Sequence, residues 1–295
     1  MNVAQTIIDG IALGAVYAIV AVGLALVFGV MRMINFAQGE LITACAYALA
    51  LSNSLPTWVA ILIALGVGVG LSFLMELVAF RPLRNASSMT TLVATFAIAF
   101  MLESVWILVF GPQGKAINTL TSLNESATSG SLHLRWITIV MIIVGIVSLV
   151  GLALLLHRTR IGLYMRAAAS DFRTARLLGV RANAVISFTF VLGGLSAAIA
   201  AILLTVSEPL ATPDFGLSVM IVALFGAVAG GIDRLVPATL GAFLFGFVTS
   251  VLGDVLPSSA SVFLTSFVFA LIIVILLVRP GGLFAPFQHR TVERV

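Results

Sequence analysis

Polar side chains set in apolar surroundings are where this chain can do chemistry, and the run Ile34-Asn35-Phe36-Ala37-Gln38-Gly39-Glu40 holds the densest group. Two amides and a carboxylate stand at the start of an apolar stretch. Over the first turn of a helix Asn35, Gln38 and Glu40 can share a surface, and a carboxylate there is favoured by the helix dipole. Two uses fit. In one, Asn35 caps the helix and Gln38 reaches back as in a capping box. In the other, the three side chains line or gate a translocation path. Spacing leaves both open.

Glu103 is the second candidate, near the middle of the apolar segment 90–110. An ionised carboxylate at the centre of a bilayer costs about 2.5–3.5 kcal/mol on insertion scales, so it is expected to face protein or water rather than lipid. It either accepts hydrogen bonds from a neighbouring helix or lines the path. Glu76, one turn from the end of its segment, is expected to snorkel or to pair with Arg81 or Arg84.

Other chemistries are excluded more firmly. Lys115 is the only lysine and no GxxxxGK[ST] run occurs, so the chain has no phosphate loop of that kind. Any energy from ATP must come from a partner. His133, His157 and His289 stand far apart, and Cys45 is the single cysteine, which excludes a histidine or multi-cysteine metal site, a His-based triad and an internal disulfide. No catalytic constellation, metal or cofactor is expected.

The elements that must position these groups are membrane spans. Of 295 residues 61% are hydrophobic and 9% charged, against about 25% charged in soluble proteins. Spans require about 20 apolar residues each. Apolar runs give nine approximate segments: 7–30, 36–53, 57–79, 90–110, 136–156, 185–207, 217–232, 236–253 and 261–278. The first nine residues contain no Lys or Arg, unlike a secretory leader, so the first segment is expected to be retained. With the N-terminus outside and nine crossings, 13 of the 15 basic residues fall inside, including Arg290 and Arg294. Only Lys115 and Arg135 remain outside, in the solvated loop 111–135. That bias predicts an N-out, C-in, all-α polytopic protein, and it explains the net charge of +4 without nucleic acid.

Segments 36–53 and 217–232 differ from the rest. One opens with polar residues, and the other is short and ends in Gly230 and Gly231. Each is the second segment of its half, and five crossings precede the second half, which therefore runs with inverted topology. Such paired, interrupted segments point to a central path and to partly re-entrant helices. Gly66, Gly68, Gly70, Gly226 and Gly230 are expected at helix contacts.

The long inside loop 157–184 carries six arginines. Ile161, Met165, Ala168, Phe172 and Ala175 recur at helical steps, with Arg166, Arg173 and Arg176 on another face and Gly179 at the helix end. Such a helix either lies on anionic lipid or docks on a cytoplasmic protein, and the small residues of its stripe favour docking. Arg166, Ala168, Ala169, Asp171, Ala175 and Gly179 are the candidate coupling residues.

These residues resemble those of a known family. Gly23 to Arg32 running into Ile34 to Glu40, Phe80-Arg81-Pro82-Leu83-Arg84, Arg158-Thr159-Arg160-Ile161-Gly162, Ala175 to Val180 and Val278-Arg279-Pro280-Gly281-Gly282-Leu283-Phe284 together look like the permease of branched-chain amino acid ABC importers, of the smaller LivH type. Gln38 stands where that family often has His. The resemblance covers nearly the whole chain, as one transmembrane permease domain, 1–295. It implies two cytoplasmic ABC ATPases, a second, paralogous permease subunit, a periplasmic substrate-binding protein and an inner-membrane location. It also implies that the loop around Arg166 to Gly179 contains the helix that fits the ATPase. Relatives move branched-chain or other neutral amino acids, urea, short amides or aromatic acids. A secondary transporter or channel for a small polar solute is the alternative, which needs no arginine-rich docking helix and would more naturally carry further intramembrane charge.

Overall fold

A computed structural model describes residues 3–119, 121–125, 135–257, 260, 263–279 and 282–284. The expectations on His133, Pro280, Gly281, His289, Arg290 and Arg294 lie outside the described residues.

Continuous apolar sequence gives helices because, with no water to bond, a backbone in lipid must satisfy its own N–H and C=O groups. The helices are α1 (Val3–Met31), α2 (Gln38–Leu51), α3 (Thr57–Met75), α4 (Ser88–Phe110), α5 (Trp136–Arg158), α6 (Arg160–Ser170), α7 (Phe172–Leu177), α8 (Ala182–Ser207), α9 (Phe215–Gly230), α10 (Leu235–Val255) and α11 (Leu264–Val278). A π-helical turn, Glu76–Phe80, prolongs α3, and a 3-10 turn beginning at Pro82 follows it. Each of the nine expected segments contains a helix. Among the described residues, however, only six helices are long and apolar enough to cross a membrane. At 1.5 Å per residue α2, α9 and α11 measure about 21, 24 and 22 Å, short of a hydrocarbon core about 30 Å thick.

One small sheet joins the helices. β1 (Lys115–Ala116) pairs antiparallel with β2 (Leu210–Ala211), with Lys115 opposite Ala211 and Ala116 opposite Leu210. Strands of two residues carry no readable alternation, which is why an all-helical expectation passed over them.

The core is built on α1 and α8, whose faces are buried along much of their length. They cross where Gly23 meets Gly193. α1 lies against α10 through Gly14, Phe243 and Gly246, while α8 lies against α3 through Gly68, Gly194 and Ala198. α2 folds back on α3, with the Cys45 thiol directed at the Ala64 carbonyl (3.3 Å), and α9 folds back on α10 at Gly226 and Ala242. Of the expected glycine contacts, Gly68, Gly226 and Gly230 pack backbone to backbone, whereas Gly66 and Gly70 have no other element within reach. Both point away from α8, one turn or less from Gly68.

Basic residues converge at one end of the bundle. Arg84, after α3, pairs with the buried Glu76 and donates to Asn183 at the start of α8, and Ser187 donates to the other oxygen of Glu76 (2.9 Å). Glu76 therefore does not snorkel, and its partner is Arg84. Arg32, just past α1, pairs with Asp233 in the α9–α10 turn (3.2 Å) and donates to the Ala169 carbonyl at the end of α6 (3.3 Å). Lys115 lies at the opposite end, above the Phe110 ring.

Candidate translocation site and coupling surface

Helix α1 ends at Met31, and Arg32 turns the chain with φ of 55°, a left-handed conformation rare outside glycine. Residues 33–37 then run without regular structure, with Met33, Asn35 and Ala37 buried. Thr95 of α4 reaches the Ile34 carbonyl (3.4 Å), and Phe36 stacks on Phe96 at 3.8 Å. Helix α2 begins only after this lead-in. Its first residue, Gln38, donates from Nε2 to the carbonyl of Gly193 (2.8 Å), near the middle of α8. The start of α2 is thereby held at mid-depth of the bundle.

This geometry corrects the capping-box option. Asn35 Oδ1 accepts from the backbone N–H of Ala37 (3.1 Å), closing a local turn, and Ala37, not Asn35, occupies the cap position. Gln38 does not reach back. Its amide fills a niche left by Gly23 and Gly193, where a side chain on Gly23 would come within 3.0 Å of Nε2.

Helix α9 starts in the same manner from the other end. β2 leads through Pro213 and Asp214 to Phe215, and the first turn of α9 crosses the first turn of α2 at Gly216 and Gly39. Gly216 donates its N–H to the Thr43 hydroxyl (3.0 Å). Two short helices thus meet at their N-terminal turns. Glycine is required at 216, where a Cβ would run into the Gly39 oxygen, and a Cβ on Gly39 would crowd the Gly216 oxygen at 3.0 Å.

Glu40, fully buried, lies one residue beyond that crossing. Trp106 Nε1 of α4 donates to its Oε2 (2.8 Å), and among the described residues Oε1 has no hydrogen-bond partner. Glu103 stands one turn before Trp106, half-buried, and acts electrostatically on Glu40, as does Asp214 at the head of α9. Tyr47 lies two turns along α2 from Glu40, stacked on Phe110 at 4.2 Å and near Trp106, with its buried hydroxyl unpartnered. The structure gathers Glu40 and Glu103 into one cluster. Gln38 stands at the α1–α8 crossing, and Asn35 bonds locally to Ala37. Trp106, Tyr47, Thr43 and Asp214 escaped the sequence reading, although Trp106 follows Glu103 by one helical turn. Among the described residues no cluster is suited to a metal ion.

The loop 157–184 folds as two helices rather than one. Asp171 is extended and breaks the run, and its carboxylate accepts from the backbone N–H of Thr174 (3.2 Å) and from the Thr174 hydroxyl, capping α7. Met165, Ala168 and Ala175 face inward and are buried, with α6 packed on α1, α5 and α8. The small-residue stripe is therefore used within this chain, and Ile161, expected in it, is exposed. Ala169 approaches Gly29, and Arg166 bonds to His157 (2.9 Å). The side chains of Phe172 and Arg173 lie outside the described set. Gly179 takes φ of +87° and lets Val180 N–H bond back to the Ala175 carbonyl (3.1 Å), ending α7. Leu177 and Leu178 stand 84% and 80% exposed at that tip. They are more exposed than Ile161, Leu163 and Tyr164 on α6.

A multi-pass helical membrane protein in which two short helices meet inside the bundle, with carboxylates beside them, has the architecture of a transport subunit. The fold agrees. PsaBC from Streptococcus pneumoniae, solved in complex with Fab, matches with a TM-score of 0.52 at 13% identity, covering 94% of this chain and 91% of that one. The chain belongs to the family described as the permease component of the branched-chain amino acid transport system, whose profile matches residues 6–277. It is 31% identical to the high-affinity branched-chain amino acid transport system permease protein BraD of Pseudomonas aeruginosa, over 95% of this chain and 94% of that protein. It is 30% identical to the corresponding LivH protein of Salmonella typhimurium, with the same coverage.

Proposed function

We propose that this chain forms part of the translocation pathway of an ATP-driven importer of branched-chain or other small neutral amino acids, and that it is a single permease domain spanning 1–295. The kinship with BraD and LivH supports the substrate class. It works with two cytoplasmic ABC ATPases, a second, paralogous permease and a periplasmic binding protein, in the inner membrane. The arginine-rich end faces the cytoplasm and the β1–β2 end faces outward, which follows from the positive-inside rule. The N-terminus is then outside and the C-terminus inside.

The two halves are inverted repeats in which α1, α2 and α3 correspond to α8, α9 and α10. The packing supports this: α1 on α10 mirrors α8 on α3, α2 on α8 mirrors α9 on α1, and the crossings α1–α8 and α2–α9 lie on the pseudo-axis. α2 enters from the cytoplasm and α9 from outside, and Gly39 and Gly216 are equivalent.

The observation that carries the reading is the folded α6–α7 unit, seated on α1, α5 and α8, with Leu177 and Leu178 presented at its tip. An ATPase cleft closing on that tip moves α6, which Arg32 ties to the lead-in of α2. The test is affinity purification of the chain from native membranes, with and without Leu177→Asp and Leu178→Asp. ABC ATPases should copurify with the parent chain and be lost from the double variant while it stays in the membrane. Recovery of the chain alone, transporting solute without ATP, would overturn the proposal in favour of a secondary transporter or channel.

A further inference from the structure

Glu40 is the buried group that packing does not explain. Its oxygen Oε2 has one donor, Trp106, while Oε1 has none among the described residues, and its charged neighbours Glu103 and Asp214 are of the same sign. A buried carboxylate without compensating donors is costly. The fold does not require it. At the equivalent third position of α9 stands Leu217, so the same glycine crossing is made without an acid at that position, the acid of α9 being Asp214 at its cap.

We infer that Glu40, Tyr47 and Trp106, with Glu103 and Asp214 at the approach, form a subsite for the ammonium group of the transported solute. This rests on the transport reading above and narrows it to solutes that carry a protonated amine. An ammonium brings three donors and one positive charge. Glu40 Oε1 and the Tyr47 hydroxyl are both buried and free to accept. Tyr47 stacks on Phe110, whose ring also meets Lys115, and lies tilted toward Trp106 with centroids 5.9 Å apart, so aromatic rings flank Glu40 on this side. The carboxylates are graded from exposed Asp214 through half-buried Glu103 to buried Glu40, which draws a cation inward. Among the described residues no group of three or more such side chains is placed to hold a metal ion. An organic ammonium, which needs fewer and looser contacts, suits the site.

The chain contains three tryptophans, and Trp58→Phe with Trp136→Phe leaves Trp106 as the reporter in contact with Glu40. The purified full chain in lipid nanodiscs is titrated with L-leucine, with 3-methylbutylamine, which lacks the carboxylate, and with 4-methylpentanoate, which lacks the amine. Leucine and the amine should shift Trp106 emission saturably, and the acid should not. Glu40→Gln should weaken the response about tenfold or more, as expected for loss of a charge-assisted bond. Glu103→Gln, at a half-exposed position that tolerates change, should weaken it less and guards against misfolding of the first variant. Equal response to the acid, a Glu40→Gln response within about twofold of the parent, or no response to any probe at about 100 mM would overturn the inference. Copurification of ATPases is scored separately. If it persists while the amine shows no preference, the subsite fails and the importer reading stands. If amine binding persists without ATPases, the subsite stands and the importer reading fails.

Discussion

Replacing Gly39 by alanine should loosen the crossing of α2 and α9 while leaving each helix intact. The added Cβ would lie 3.0 Å from the Gly216 oxygen, 3.0 Å from Leu217 Cα and 3.1 Å from Gly216 C. All three are backbone atoms, so no rotamer change relieves them, and the helices must part by a few tenths of an ångström. The same shift stretches the bond from Gly216 N–H to Thr43, already at 3.0 Å. Overpacking of this kind costs about 1–3 kcal/mol, against a helix-propensity gain for alanine of up to about 1 kcal/mol. With the full propensity gain of about 1 kcal/mol, the net effect is a loss of up to about 2 kcal/mol. Gly66→Ala and Gly70→Ala are the controls, since both residues are exposed with no atom in the way of a Cβ. They should gain a few tenths up to about 1 kcal/mol from propensity alone. Unfolding of the purified chain by denaturing detergent, followed by circular dichroism, separates the signs. Gly39→Ala at or above parental stability, or all three variants moving together, would refute the argument that backbone contact governs the crossing.

Three further outcomes follow from other contacts. Gln38→Leu removes the donor to Gly193, whose carbonyl keeps its bond within α8, so it should cost about 0.5–1.5 kcal/mol in the same unfolding assay. Glu76→Leu leaves Arg84, 18% exposed, without its buried partner and should cost about 3–5 kcal/mol, whereas Glu76→Leu combined with Arg84→Met should recover most of the loss in a double-mutant cycle. Arg32→Ala should be less stable than Arg32→Gly by about 1 kcal/mol, because φ of 55° strains alanine, while both lose equally the exposed pair with Asp233.

Membrane residence, the nine apolar segments, their order and the basic bias were legible in the sequence, because lipid imposes a composition and a length on each span. The odd character of segments 36–53 and 217–232 was legible too, from Asn35, Gln38 and the paired Gly230 and Gly231. The arginine-rich loop announced a helix ending at Gly179, since φ of +87° suits glycine alone. Other features depend on distant partners. Gln38 looked like half of a capping box, yet its acceptor is the Gly193 carbonyl, 155 residues away. The alanine stripe looked like a docking face, yet it is spent on the chain's own helices, and Leu177 and Leu178 take the exposed place. Periodicity says which residues share a face but not what covers that face. The pairing of Glu40 with Trp106, the crossing of Gly39 with Gly216 and the contrast of Glu40 with Leu217 join elements far apart in the chain. Only tertiary packing, which brings backbones within van der Waals contact irrespective of sequence separation, decided them.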